Sequence, residues 1–359
     1  MKLTNLNELQ MPSWHWLNIN DTELNLTADI GVAYLNKAEC RNSSEIKLQP
    51  QADGEPIEAL PADMQRMREF IAAHQNYSLT ITIPQHVRLE QPVFLDFILD
   101  DMSPVLIDQL HIRAEKGSQA DIVVTYRAAG NAVCFHGGFA YLEAAPDARV
   151  RLFKIQMLGS NDIHLDTTAV TAAEGGRGDV LTCELGGAQV ISSCNIALAG
   201  AASSSNLDSL YLGSGRRRLD LNYRLEVRGT SSDGEIVVKG ALSGSAKKTL
   251  KSTLDFISGA SGARGREVET VLTLSDRVIN LSAPLLLCGE DNVEGEHATT
   301  TGRPDEAKLY YLMSRGFSEK EAKRLLVEAS FTPLLNKIPS DSLRGDILTK
   351  IQEVVHDEQ

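Results

Sequence analysis

No two of the five cysteines stand as a CxxC pair. Cys40, Cys134, Cys183, Cys194 and Cys288 are odd in number and widely spaced, which excludes a zinc ribbon or a ferredoxin-type cluster motif and fits a reducing compartment. Aromatic residues are scarce at 5%, although hydrophobic residues reach 42%. The core must therefore be filled with Val, Ile, Leu and Ala, a composition that suits stacked strands. Positive charge is in deficit: the net charge is −13, against the basic footprint of a nucleic-acid binder. Arg216, Arg217 and Arg218 form the one compact basic run and read as a solvated strand end. No apolar h-region follows Lys2, and no apolar run approaches the roughly 18–20 residues that cross a bilayer. A cytoplasmic location is expected, with neither nucleic acid nor membrane as a partner. GxSxG, GxxxxGK[ST], HExxH and GxGxxG are all missing, so the chain is not expected to be an enzyme or to hydrolyse ATP itself.

The 359 residues allow two or three structural units. Residues 1–77 are mixed. Within them Asp63 to His74 suggests a helix, with Met64, Met67 and Phe70 at helical spacing. Residues 78–302 change character. Leu219, Leu221, Tyr223, Leu225 and Val227 alternate with Asp220, Asn222, Arg224 and Glu226, the mark of a strand with one buried face. Residues 78–83, 121–126, 235–242 and 271–281 read as further strands. Small-residue turns at 116–120, 145–148, 175–178, 200–203, 230–234 and 259–262 punctuate them, at the roughly 25–30-residue spacing of a solenoid. A β-sandwich places its turns at roughly 8–12 residues and fits this run less well. Residues 303–359 turn helical. A helix over 305–314 stops at Gly316. Ser318 and Glu321 make a capping box for a helix with Ala322, Leu325, Leu326 and Ala329 on one face, and Pro333 and Pro339 bracket the next link. The last helix stripes Leu343, Ile347, Leu348, Ile351, Val354 and Val355. That stripe packs either on its own chain or on a partner.

One segment concentrates ligand chemistry. Between Cys288 and His297 lie Glu290, Asp291, Glu294 and Glu296, a set of thiolate, carboxylate and imidazole donors suited to iron or another transition metal. The bland reading is a solvated acidic loop. On a strand Glu294 and Glu296 share one face and His297 takes the other, so one ion needs a bulge or a second chain to collect them all. Cys183 and Cys194 read as buried core thiols.

The stretch from Glu290 through the Gly-Glu-His-Ala sequence at 295–298 to Leu309, Tyr310, Tyr311, Leu312, Met313, Ser314, Arg315 and Gly316 resembles the C-terminal signature of the SufB/SufD family of iron–sulfur cluster assembly proteins, and is closer to SufD. The Pro-Ser-Trp-His-Trp-Leu run at 12–17 resembles the family's N-terminal motif. The resemblance implies a mainly β fold: a right-handed parallel β-helix core over 78–302, a small mixed N-terminal segment and a helical C-terminal domain over 303–359. It implies a non-enzymatic scaffold subunit that pairs with a SufB-like chain and docks the SufC ABC ATPase, with a homodimer as the alternative pairing. No cofactor is expected to stay bound; iron or an iron–sulfur cluster is expected to pass transiently through an interface with the partner. Candidate metal ligands are His297, Glu296, Glu294 and Cys288, with His297 matching the interface histidine of SufD. Candidate contacts to SufC are Tyr310, Leu312, Leu325, Leu326, Leu348 and Ile351. Ala298 after the histidine favours SufD over SufB, whereas Gly295 stands where SufD proteins often carry a cysteine. A stand-alone iron-binding scaffold and a polysaccharide-active β-helix enzyme are the rival readings. The latter lacks a carboxylate pair on adjacent coils.

Overall fold

A computed structural model describes residues 1–4, 6–9, 19–20, 22–50 and 62–356, and within the last helix the side chains up to Glu353. Most of the N-terminal motif, and Val354 and Val355 of the expected stripe, therefore lie outside the described residues or side chains. A two-stranded antiparallel ladder opens the chain, β1 (Lys2–Leu3) and β2 (Leu24–Asn25). Strands β3 (Glu39–Arg41) and β4 (Lys47–Gln49) and helix α1 (Ala62–His74) follow. The solenoid begins with β5 (Tyr77–Ile83), β6 (Val93–Leu99), β7 (Val105–Ala114), β8 (Gln119–Ala128), β9 (Phe135–Ala144) and β10 (Arg149–Met157). It continues through β11 (Ile163–Ala172), β12 (Arg177–Glu184), β13 (Gln189–Leu198), β14 (Ser204–Gly213) and β15 (Arg218–Val227). It ends with β16 (Asp233–Leu242), β17 (Lys247–Phe256), β18 (Ala263–Thr273), β19 (Ile279–Cys288) and β20 (Val293–Gly302). Helices α2 (Glu306–Ser314), α3 (Glu319–Leu335) and α4 (Asp341–His356) close the chain.

From β5 to β20 odd and even strands sort into two nine-stranded sheets, which β4 and β3 respectively complete. Within each, a strand pairs in parallel with the strand two places on, so the chain coils. Ile163 pairs with Gln189, 26 residues later, and Lys247 with Ile279, 32 later. This is the expected solenoid. Its coils are held at one corner by a column of left-handed residues: His86, Gly117, Asp147, Gly175, Ala202, Ser231 and Gly262. Each donates its N–H to a carbonyl of the next coil's corner, at Lys116, Pro146, Glu174, Ala201, Thr230, Ser261 and Asn292 respectively. Four of the seven are not glycine and carry a backbone cost of roughly 1–2 kcal/mol each. The shared hydrogen bonds hold them there.

Both sheet surfaces are covered. Ile122, Val124, Tyr126, Leu152, Ile196, Leu221 and Tyr223 fill the space between the sheets. The N-terminal segment and α1 bring Leu6, Leu24, Met67 and Ile71 against Ile107, Phe139 and Leu165 on the odd-strand sheet. Asp220 locks that segment down, accepting from Asn7 Nδ2 and Lys251 Nζ, each at 2.8 Å, while Lys251 also reaches the Ile19 carbonyl. On the even-strand sheet α3 and α4 bury Val327, Phe331, Leu334, Ile347 and Ile351 against Phe153, Leu181, Cys183 and Leu210. Ion pairs Lys337–Asp208 (2.7 Å) and Arg127–Asp346 (2.7 Å) flank this seam.

Four local expectations change. Residues 271–281 are not one strand: Ser275, Asp276 and Arg277 turn the corner between β18 and β19. Pro333 lies inside α3, where its missing N–H falls near the helix end and costs one ladder bond. The buried stripe of α3 is Ala322, Val327, Phe331, Leu334 and Leu335, with Leu325 and Leu326 half-buried and Ala329 exposed, because Val327, Phe331, Leu334 and Leu335 are the positions that meet the even-strand sheet. Arg217 is buried and donates to the carbonyls of Leu185 (2.9 Å) and Leu212 (2.7 Å); only Arg216 and Arg218 are solvated. The capping box at Ser318 and Glu321 forms as expected.

Phe331 is fully buried in the helix–sheet seam, whereas Phe317 is 40% exposed. Phe331→Ala should cost about 3–5 kcal/mol of unfolding free energy in urea titrations. Phe317→Ala should stay within about 0.5 kcal/mol. Equal effects would mean that α3 is not seated on the sheet.

Candidate functional site at the open end of the solenoid

The two ends of the solenoid are finished differently. At the first, β3 and β4 lie antiparallel on β6 and β5 and cover their edges. At the other, β20 pairs with β18 and β19 with β17, and no described strand lies beyond either. Almost every residue of β20 is exposed. His297 stands on β20 in register with Glu267 on β18, so its side chain shares the inward face of that buried carboxylate. Glu267 accepts from Ser252 Oγ, and beside it Glu269 pairs with Lys248 and accepts from Ser282 Oγ at 2.6 Å. Burial pushes the Glu267 carboxyl up, Glu269 adds to the rise, and Ser252 and the nearby His297 oppose it. Glu294 and Glu296 take the opposite face and meet Arg264 (3.0 Å) and Arg266 (3.9 Å). Cys288 is exposed at the end of β19. Glu290 accepts from the Gly259 N–H (3.0 Å) and so shapes the turn. Among the described residues, His297, Glu294, Glu296 and Cys288 do not converge as a set of three metal ligands; the chain alone brings His297 to Glu267 and sends the two glutamates to arginines.

The helical candidates also separate. Tyr310 is 76% exposed, and Tyr311, Met313 and Phe317 are exposed beside it in the α2 region. Leu312, Leu325, Leu326 and Leu348 are half-buried. Ile351 is fully buried against the even-strand sheet, so it belongs to the chain's own core and not to an open docking face. Cys183 and Cys194 are buried as expected, and burial pushes both thiols well above their ordinary value.

Sequence reasoning missed a polar chain inside the solenoid. His136 on β9 and His164 on β11 sit in register on neighbouring coils, with their Nδ1 atoms 2.8 Å apart. His136 Nε2 lies 2.6 Å from Asp108 Oδ1, and His164 Nε2 3.4 Å from Glu184 Oε2. Asp166 accepts from Lys154 Nζ at 2.6 Å, and the Tyr126 ring lies tilted by 33° against His136 with ring centroids 3.8 Å apart. All are buried. Burial holds His136 down to about 3 against the opposing pull of Asp166, and holds His164 well below its ordinary value with His136 adding to the effect. Burial pushes Asp108 up to about 7, opposed by Lys154 and Tyr126. It pushes Glu184 to about 7, with Asp166 reinforcing and Ser192 and Lys154 opposing. The sequence signal was the 28-residue spacing of the two histidines, one coil, which becomes legible only once the coil length is known.

The described residues thus form a long parallel β-solenoid whose last coil is uncovered and carries acidic groups and an imidazole, and no helix among them is long and apolar enough to cross a membrane. Residues 97–330 match the family described as SUF system FeS cluster assembly, SufBD core domain, and the chain belongs to that family. The chain is 26% identical over 304 residues to the iron–sulfur cluster assembly protein SufD of Bacillus subtilis, covering 83% of this chain and 69% of that protein. A SufBD family iron–sulfur cluster assembly protein of Mycobacterium leprae is 25% identical over 280 residues, or 76% of this chain and 70% of its own length.

Folded, Glu184 keeps its proton to about pH 7; unfolded, it releases it near its ordinary value of about 4.3. Between those values the folded state holds the extra proton, so this group's contribution to stability is present at low pH and lost as pH rises. Glu184→Gln does not titrate. Its stability relative to the wild type should therefore rise between pH 5 and pH 8, by up to about 3 kcal/mol. A gap that stays constant with pH would place Glu184 outside this polar chain.

Proposed function

We propose that this chain is a non-enzymatic scaffold subunit of a SUF-type assembly complex in the cytoplasm. It pairs with a SufB-like chain through the open end of its solenoid and docks a SufC-like ATPase through its helical segment, 303–359. Iron or a nascent iron–sulfur cluster is its cargo, held in passing at the interface by His297 and by groups of the partner. The observation that carries this reading is the uncovered edge of β19 and β20, with His297 and Cys288 on its last coil. An edge strand with free N–H and C=O groups is a template for another chain. The separation of Glu294 and Glu296 from His297, and their pairing with arginines, suits a site that a second chain completes. The exposed cluster of Tyr310, Tyr311, Met313 and Phe317 supports docking by α2, since aromatic side chains dominate protein interfaces.

Co-expression with a SufB-like chain and a SufC-like ATPase tests this. The three should co-purify. His297→Ala should leave the complex intact and lose the visible absorbance of cluster built with iron and sulfide. Tyr310→Glu should weaken ATPase docking by about 2 kcal/mol, roughly 30-fold, without touching the solenoid partner. A folded chain that binds neither protein, or that builds cluster equally well alone, contradicts the proposal and favours a stand-alone scaffold.

A further inference from the structure

We propose that His136, His164 and Asp166 form a buried two-histidine, one-carboxylate site for a divalent first-row transition metal, zinc or iron(II), which pins neighbouring coils of the solenoid together. The site is separate from the open end and does not rest on the scaffold role.

Three observations carry it. One ligand atom from each of the three residues lies within 4.8 Å of the others, and this donor set suits zinc or non-haem iron(II). The position that would block their approach is glycine: a Cβ on Gly138 would stand 2.5 Å from Asp166 Oδ1 and 2.9 Å from His136 Cε1. The histidines are held as metal ligands are. His136 Nε2 bonds Asp108 Oδ1 at 2.6 Å, the outer-shell pairing that orients imidazole on a metal, and His164 Nε2 lies 3.4 Å from Glu184 Oε2. The Nδ1 atoms of the two rings face one another across 2.8 Å, and when each Nε2 carries its ring's proton both Nδ1 lone pairs are free to bind one ion.

Charge points the same way. Three carboxyl groups, at Asp108, Asp166 and Glu184, and one amine, at Lys154, surround the two rings, so acidic groups outnumber the basic side chain in this buried space, and a cation is the partner they lack. Lys154 occupies Asp166 Oδ1, and a carboxylate has a second oxygen to give. Enclosure means that the ion enters as the solenoid closes, so metal binding is coupled to folding.

The test uses the full chain with His297→Ala as background, so that a failure of the open-end site does not enter. Protein unfolded, stripped with chelator and refolded with zinc or iron(II) should carry about one tightly held ion per chain by mass spectrometry. X-ray absorption should show imidazole nitrogen and oxygen neighbours and no sulfur. Asp108→Asn should weaken binding by about 10- to 100-fold. The double variant His136→Gln, His164→Gln should refold without the ion. Refolded protein that holds no metal, metal retained in the double variant, or a sulfur neighbour would overturn the proposal. If the double variant does not fold, the absorption spectrum of the His297→Ala protein decides.

Discussion

The strands of each coil in this protein take their backbone partners from the coils before and after it. The strands of one sheet are not neighbours in sequence; Arg149 bonds across to Gln119 and Arg177, 30 residues back and 28 forward. Such a stack extends itself until something stops it. At the first end β3 and β4 reverse direction and close the edges. At the last end nothing described does so, and β20 is left with its outer groups exposed. An uncovered parallel edge is a hazard that natural chains manage, and a second chain manages it here in the proposed complex. Pairing is thus tied to the same hydrogen-bond demand that builds the fold.

The helical pieces serve the solenoid before they serve anything else. The N-terminal segment covers one sheet and α3 with α4 covers the other, so many strands are buried on both faces. This coverage explains why Ile351 is core and Tyr310 is surface: α4 lies on the sheet, whereas α2 contributes no buried residue. Within the last three helices, α3 and α4 are anchored on the sheet and α2 stays exposed.

Much of the fold was legible because period-two alternation and corner spacing are local signals. The strand at Arg218–Val227, the capping box at Ser318 and the opposed faces of Glu296 and His297 all came from spacing alone. What failed needed knowledge of neighbours. Val271 to Leu281 carries apolar residues on both sides of Ser275, Asp276 and Arg277, and a corner at those three polar residues cuts it in two. The buried face of α3 was set by the sheet beneath it, not by the Leu325–Leu326 pair. The chain Asp108, His136, His164, Glu184 is spread over four strands, β7, β9, β11 and β12, and its members look like isolated polar residues until coils are stacked. The metal-ligand types near His297 were visible in sequence; that Glu294 and Glu296 turn to Arg264 and Arg266 was not.

The central claim is that the free edge of β20 is the pairing surface. Backbone hydrogen exchange resolves it directly, comparing the chain alone with the chain bound to a SufB-like partner. The account predicts that the amides of Val293–Gly302 that point away from β18 exchange rapidly in the free chain and become protected in the complex. A complex that forms while those amides keep exchanging as before would contradict it.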